Sequence, residues 1–295
     1  MTGPAGRVVA VTGSAGRLGS ELVRQLTLDG WSVRGWTRAE FDLDDPGPIE
    51  RRIAADLPDL VIHAAAWTDV DGCARDPDLA LARNGTATAV LAAACRAAGA
   101  SLLIVSSNEV FDGTRTDGLG YGPADATNPP NPYGRSKLAA EQGALEAFGG
   151  GAGLGIVRTA WLFGEGKPDF PARIAAAARA AVAEGRTLRL VADEIGTPTY
   201  VPDLAAAIVA LARGRVDGLH HVVNGGIASR AEWGRDVFAR LQIPVLVDEV
   251  SLREFARPST PPRWGVLAPT PLPGGLLRSW REAMAYRMGP VEALL

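Results

Sequence analysis

Short runs of consecutive apolar residues alternate along this chain with longer stretches whose apolar positions recur every three or four residues. Arg7–Thr12 (RVVAVT), Trp31–Trp36, Leu60–Ala66 (LVIHAAA), Leu102–Ser107 (LLIVSS) and Gly155–Trp161 are runs of the first kind. They read as strands buried on both faces. Ser20–Leu28, closed by Gly30, and the Ala-rich Asn84–Ala98 follow the second pattern and predict helices. The alternation predicts an α/β fold, a Rossmann-type doubly wound parallel sheet with helices on both faces.

After Phe163 the pattern becomes irregular. Helices are predicted over Phe170–Ala183, from Pro202-Asp203 to Arg213, over Ser229–Leu241 and from Leu277. Glu232, three residues after Ser229, completes a capping box. Strands are predicted over Leu188–Ala192, Leu219–Val223 and Val245–Val250. A Gly-Thr-Pro-Thr turn precedes Val201, and a Pro-rich stretch, Pro258 to Pro273, crosses to the last helix. The division that follows is a dinucleotide-binding domain over 1–158, to which 197–226 returns. A smaller C-terminal α/β substrate-binding domain takes 159–196 and 227–295. A length of 295 residues suits this, because single cores stop growing near that size.

Chemistry enters at the junctions. The first strand runs into Gly13-Ser14-Ala15-Gly16-Arg17-Leu18-Gly19 and then a helix, the context of a dinucleotide fingerprint. Glycines let backbone approach a pyrophosphate, and the helix start offers free N–H groups to its charge. The spacing is G-x-x-G-x-x-G rather than G-x-G-x-x-G. At the end of the second strand an acid would bind the ribose hydroxyls of NAD. Thr37-Arg38 stands there instead, which suits a 2′-phosphate and predicts NADPH, with NADH as a second choice. Asp42-Leu43 is placed to close over the adenine, and Ala64, Ala65 and Ala66 leave room where a cofactor passes. The fourth strand ends in Ser106 and Ser107, at the carboxyl edge where such sheets bind ligands. The loop from Asp112 to Pro130, about 19 residues, is long enough to read as a lid or substrate loop. Next, Asn131-Pro132-Tyr133-Gly134-Arg135-Ser136-Lys137 sets a tyrosine and a lysine four apart, on one helix face. A cation beside a phenol lowers its pKa, which predicts that Tyr133 is a general acid or base near neutrality.

Composition narrows the classes. Hydrophobic residues make up 47% and charged residues 21%, with a net charge of -3 and a pI near 5.7. No polyelectrolyte signal points to nucleic acid. No apolar run reaches about 18 residues, so no membrane span is expected. Met1 to Gly6 passes straight into a strand, so no signal peptide is expected. Two cysteines, Cys73 and Cys95, and three scattered histidines, His63, His220 and His221, make neither a disulfide framework nor a metal site. The expected setting is a reducing cytoplasm.

The glycine turn, the strand ending in Ser107, and Tyr133-x-x-x-Lys137 together resemble the extended short-chain dehydrogenase/reductase superfamily. Arg38–Leu43 (RAEFDL), Ala64–Asp71 (AAAWTDVD), Arg158–Gly164 (RTAWLFG), Asp193–Thr199 (DEIGTPT), Arg257 to Val266 and Leu277–Trp280 look like the dTDP-4-dehydrorhamnose reductase family. That resemblance covers nearly the whole chain. It implies reduction of the 4-keto group of a nucleotide-linked deoxysugar by NAD(P)H. Ser107 would hydrogen-bond the ketone oxygen, Tyr133 would donate the proton, and Lys137 would hold the nicotinamide ribose. The cofactor would lie along Gly13, Ala15, Gly16, Arg17, Leu18, Gly19, Thr37, Arg38, Asp42, Leu43, Ala64–Ala66 and Thr68. Val70, Asn108 and Trp161 would line the sugar pocket, Trp161 offering a flat apolar face to a C6 methyl group.

This chain departs from the family in places. Ser107-Asn108-Glu109 replaces Thr-Asp-Tyr or similar, which keeps the hydroxyl but alters the sugar pocket. Glu194 stands where glutamine is usual, and Thr37 replaces a frequent acid. Glu21 and Asp203 fall near positions that bind Mg at a dimer contact in some members. The plainer reading, a first-turn acid and a helix cap, is the stronger for both, so no metal is assigned and a homodimer is left open. Competing expectations are a sugar-nucleotide 4,6-dehydratase or 4-epimerase, and a non-catalytic regulator of the methionine adenosyltransferase beta type. Dehydratases carry Thr-Asp-Glu, and Asn108 cannot supply their Asp's proton. Retained Ser107, Tyr133 and Lys137 argue against the regulator.

Overall fold

The computed structural model describes residues 6–214 and 216–289. Its first half alternates strand and helix: β1 (Val8–Thr12), α1 (Arg17–Leu28), β2 (Ser32–Trp36), α2 (Ile49–Asp56), β3 (Leu60–His63), α3 (Val70–Arg75), α4 (Pro77–Ala80), α5 (Ala87–Ala98), β4 (Ser101–Ser107), α6 (Pro132–Phe148) and β5 (Leu154–Thr159). The second half is more broken: β6 (Leu162–Phe163), α7 (Phe170–Ala183), β7 (Leu188–Val191), β8 (Ile195–Gly196), β9 (Thr199–Tyr200), α8 (Val201–Arg213), β10 (Gly218–His221), β11 (Ala228–Ser229), α9 (Arg230–Arg240), β12 (Val247–Val250) and α10 (Trp280–Met288).

Six strands form one parallel sheet in the order β10-β5-β4-β3-β1-β2. Val9, Val11, Leu60, Ile62 and Val157 pack with Leu22 and Leu26 of α1 and Leu204 and Ile208 of α8 on one face. Ala10, Val61, Leu102 and Ile156 pack with Ile53 of α2, Leu91 of α5 and Phe148 of α6 on the other. Burial on both faces is why these strands read as unbroken apolar runs. A separate core gathers Phe163, Trp233, Phe238, Trp280 and Met284 from the irregular second half. Among the described residues no helix is long and apolar enough to cross a membrane.

Several boundaries shift from expectation. α1 begins at Arg17, not Ser20, because the glycine turn feeds it directly. β3 stops at His63, since the Ala65 N–H turns aside to the Thr12 hydroxyl at 3.1 Å. The helix expected from Asn84 opens as a π turn over 81–86 before α5. Three short helices, α2 to α4, were not predicted. α3 and α4 are each capped by an aspartate, Asp69 on the Gly72 N–H and Asp76 on the Leu79 N–H. Such caps are a readable signal. The loop from Asp112 to Pro130 forms no helix or strand, but Tyr121 bridges to Leu267 of the Pro-rich segment.

Candidate active site

β2 lies on one side of β1 and β3 on the other, so the chain reverses direction across the sheet at β1. Such switch points open a crevice at the carboxyl ends of the strands. Gly13 makes the turn at φ +64, and a Cβ there would fall 2.9 Å from the Ala65 Cα. Only glycine lets the two loops touch. Gly16 caps α1 without a side-chain hydrogen bond, leaving first-turn N–H groups open to an anion. Along this crevice runs a cleft of about 370 Å³. Its walls are Gly13, Ala15 and Gly16 from the turn, Thr37, Arg38, Asp42 and Leu43 after β2, and Ala64, Ala65 and Ala66 after β3. Bare backbone at a helix start fits the pyrophosphate of a dinucleotide, and the cleft beyond it fits the adenosine.

Other residues expected at the cofactor lie elsewhere. Leu18 is buried in the core under the sheet, and Gly19 packs beneath the turn. Thr68 is exposed past the alanines. Arg17 turns away from the turn: its guanidinium donates to the carbonyls of Gly164, Glu165 and Lys167 and stands 3.8 Å from Asp169. It ties the segment after β6 to the start of α1. Five wall residues were missed: Phe41, Asp44, Trp67, Arg83 and Lys167. Arg83 lies over the Trp67 ring at 5.0 Å and grips Asp44 at 2.5 and 2.9 Å. Nothing in the local sequence links it to the end of β2.

Arg38 does stand at the mouth, with Nε 3.2 Å from Asp42 and an Nη on Asp44. The Thr37 N–H and hydroxyl both donate to the Glu40 carboxylate, at 2.8 and 2.6 Å. A 2′-phosphate would take these donors over from the chain's own carboxylates. Arg38→Ala is expected to weaken NADPH about 10-fold and NADH little, since charge-assisted bonds to phosphate are the strong ones. Dissociation constants for the two cofactors check this; equal losses would remove Arg38 from the phosphate.

At the other end of the crevice, α6 starts against the turn that follows β4. Asn131 caps it, accepting the Gly134 N–H at 2.8 Å, with Pro132 in the first turn. The Asn131 amide donates to the Glu109 carboxyl at 2.6 Å and to the Thr260 carbonyl at 3.1 Å. A Cβ on Gly134 would sit 2.1 Å from the Glu109 carbonyl oxygen, so the helix start and the β4 end are locked together. This places Tyr133 beside Ser107, whose hydroxyl acts to lower the phenol's pKa. Ser107 also accepts the Glu109 N–H at 3.2 Å. Asn84, in the π turn, donates to Ser136 at 3.0 Å and pairs with both backbone groups of Trp67. It was expected only as a helix start. π turns often mark functional sites, and this one links the cleft wall to α6.

The protonation of the pair differs from expectation. Burial, and next the nearby Glu109 carboxyl, raise the Tyr133 pKa, and the Ser107 hydrogen bond only partly opposes them. Lys137 does not lower it: the ammonium donates to the Val105 carbonyl at 2.8 Å instead. Burial brings Lys137 itself down to about 8, with Glu141 opposing. Glu109 is also pushed up, by burial above all. Tyr133 is therefore held as the neutral phenol, the form that can give a proton.

Of the residues expected around the sugar, Val70 opens α3 half-buried. Asn108 is buried and its amide donates to the Gly265 carbonyl at 3.0 Å. It joins the turn after β4 to the Pro-rich segment. Trp161 has a left-handed backbone, φ +42, and its ring is not open: the Arg230 guanidinium lies 3.5 Å from its centroid. Among the described residues no group of His, Cys, Asp or Glu is arranged to hold a metal ion. Asp203 pairs with Arg278 at 2.8 Å, and Glu21 with Arg24 at 2.6 Å.

Residues 7–290 match the family described as RmlD substrate binding domain. The chain belongs to that family. A dTDP-4-dehydrorhamnose reductase of Mycobacterium tuberculosis (strain ATCC 25618 / H37Rv) is 40% identical, over 97% of this chain and 93% of its own length. A dTDP-4-keto-6-deoxy-D-glucose reductase of Streptomyces niveus is 33% identical, over 92% and 90%. Among solved structures, dTDP-4-dehydrorhamnose reductase from Bacillus anthracis in complex with NADP superposes with a TM-score of 0.86 at 29% identity, covering 97% of this chain and 99% of that one. A UDP-glucose 4-epimerase of Thermus thermophilus in complex with NAD follows at a TM-score of 0.68 and 25% identity, sharing the same doubly wound sheet.

Proposed function

We propose that this chain reduces the 4-keto group of a dTDP-linked 4-keto-6-deoxyhexose with NADPH. The observation that carries the reading is the Tyr133 phenol, kept protonated chiefly by desolvation and set beside Ser107 at the end of β4, next to a crevice shaped for a dinucleotide. The cofactor, held along the Gly13–Gly16 turn and the loops after β2 and β3, supplies the hydride. The chain's own residues do the rest. Ser107 and Tyr133 both donate toward one oxygen, so a ketone seated there is polarised by two hydrogen bonds. Tyr133 then gives its proton to that oxygen as negative charge builds on it. Lys137, anchored on Val105, presents its remaining N–H bonds to the nicotinamide ribose.

Lys137 makes NADPH binding pH-sensitive. Its ammonium titrates at about 8, below the usual lysine value of about 10.4. The charge is intact below that pH and is lost as pH rises through it. NADPH affinity is expected to be level up to about pH 7 and to weaken above about 8. Lys137→Met should bind NADPH more weakly and with no such limb. A fluorescence titration of NADPH across pH checks both.

The substrate test is NADPH oxidation with dTDP-4-keto-6-deoxyglucose, with and without a 3,5-epimerase, followed by mass analysis. Turnover only after epimerisation assigns the rhamnose branch. Turnover without it assigns the branch of the Streptomyces niveus relative. Tight NADPH binding with no turnover of either would favour a regulatory role. Binding energy from the nucleotide can orient the small reacting sugar, so the free keto sugar is expected to react far less well.

A further inference from the structure

The Trp161 ring, expected to be an apolar platform for the sugar, carries a cation. Arg230, the first residue of α9, lays its guanidinium 3.5 Å from the ring centroid. Gly196 packs against the same indole, where a Cβ would fall 2.6 Å from Cε2. Trp233 lies parallel at 5.8 Å. Glu194 fixes the guanidinium from the side, its Oε1 accepting Nε at 3.0 Å and Nη2 at 2.8 Å. Nη1 makes no hydrogen bond among the described residues, and 24% of the side chain is exposed. The guanidinium is thus clamped in plane with one donor edge open.

The clamp that holds Arg230 is joined to the turn after β4. Glu194 precedes Ile195, whose carbonyl accepts the Gly265 N–H at 2.7 Å, and Gly265 holds the Asn108 amide. The charge of Arg230 acts on Glu109, and Glu109 in turn acts on Tyr133. Arg230 is thus tied, through Glu194, Ile195 and Gly265, to the turn that carries Ser107, Asn108 and Glu109.

We propose that Arg230 is a specificity-determining residue: held on Trp161 by stacking and by Glu194, it donates from Nη1 to an oxygen of the nucleotide sugar. This rests on the reading of the site as a nucleotide-sugar reductase. The acceptor is either a ring hydroxyl or a β-phosphate oxygen, which offer a guanidinium the same chemistry. The pocket then selects a ligand with an acceptor over the indole, where a bare tryptophan would select an apolar face.

The test measures calorimetric binding of dTDP and of dTDP-rhamnose by the full chain with NADPH present, alongside turnover of the keto sugar nucleotide. Arg230→Gln is expected to raise the KM for the sugar nucleotide about 10- to 100-fold and to leave NADPH affinity unchanged. Weakening of dTDP by the same factor assigns the phosphate. Weakening of dTDP-rhamnose alone assigns the sugar. Parent-like KM and parent-like binding of both ligands would overturn the proposal, as would a loss of NADPH affinity equal to the loss of substrate. Should Arg230→Gln not fold, Arg230→Lys decides, because lysine keeps the charge but not the planar fork. A rise in KM at unchanged NADPH affinity supports the assignment, and no rise overturns it. The binding arms do not depend on turnover. A parent that binds dTDP-rhamnose but reduces no keto sugar sinks the functional reading while the Arg230 comparison still stands; a parent that binds neither ligand sinks both.

Discussion

Tyr133→Phe is expected to lower kcat by about 10²–10⁴-fold, the usual contribution of a positioned general acid, with NADPH affinity unchanged. The size follows from what surrounds the phenol. Burial and the Glu109 carboxyl keep it protonated, so at neutral pH the acid form is fully populated. Its proton is the one placed beside Ser107, and phenylalanine keeps the ring while removing only that donor. Ser107 would still polarise the ketone, so residual turnover should remain. Ser107→Ala alone should therefore lose less than Tyr133→Phe. Single-turnover oxidation of bound NADPH separates chemistry from binding. Near-parent rates in Tyr133→Phe would mean that the proton comes from another group.

The sheet was legible because its strands are buried on both faces. Val9, Val11, Leu60, Ile62 and Leu102 are all at 0% exposure, and such strands have no polar positions to blur the pattern. The two-residue strands β6, β8, β9 and β11 are too short to carry any period. α2 holds only Ile49 and Ile53 against the core, fewer than a periodic signal needs. The glycine turn was legible as chemistry, since its spacing sits between a strand and a helix.

Side-chain direction was not legible. The spacing of Tyr133 and Lys137 gives a shared helix face, but not that the ammonium would turn to the Val105 carbonyl. The expected lowering of the phenol pKa is therefore reversed by burial. Arg17 sits inside the glycine turn in sequence, yet its long side chain reaches the carbonyls after β6. Arg83 meets Asp44 across a gap of 39 residues. Such long-range pairs leave no local pattern. Trp161, expected at the end of the fifth strand, falls two residues past Thr159 in a bend, and its cover by Arg230 depends on where α9 docks.

Glu141→Gln is expected to destabilise the fold by about 3–5 kcal/mol, the range for breaking a buried ion pair from one side. Glu141 lies one turn beyond Lys137 on α6. It accepts Arg158 of β5 at 2.9 and 2.6 Å and the Ser106 hydroxyl of β4 at 2.5 Å. Both charged side chains are buried, at 5% and 2% exposure. Arg158 has little else to turn to: Nη1 has no partner among the described residues, and the guanidinium sits 5.0 Å over the Phe111 ring. Glutamine can accept one of its hydrogen bonds but cannot balance its charge. The double change Glu141→Leu with Arg158→Met removes both charges and should recover most of the loss. Urea unfolding of the parent and both variants measures this, and a Glu141→Gln protein as stable as the parent would mean that Arg158 is compensated elsewhere. The same carboxylate supports the Lys137 ammonium. In any Glu141→Gln protein that remains folded, the pH limb of NADPH binding should therefore move below its parental position near about 8. A limb that stays in place would show that Glu141 holds α6 to the sheet without tuning the lysine it stands behind.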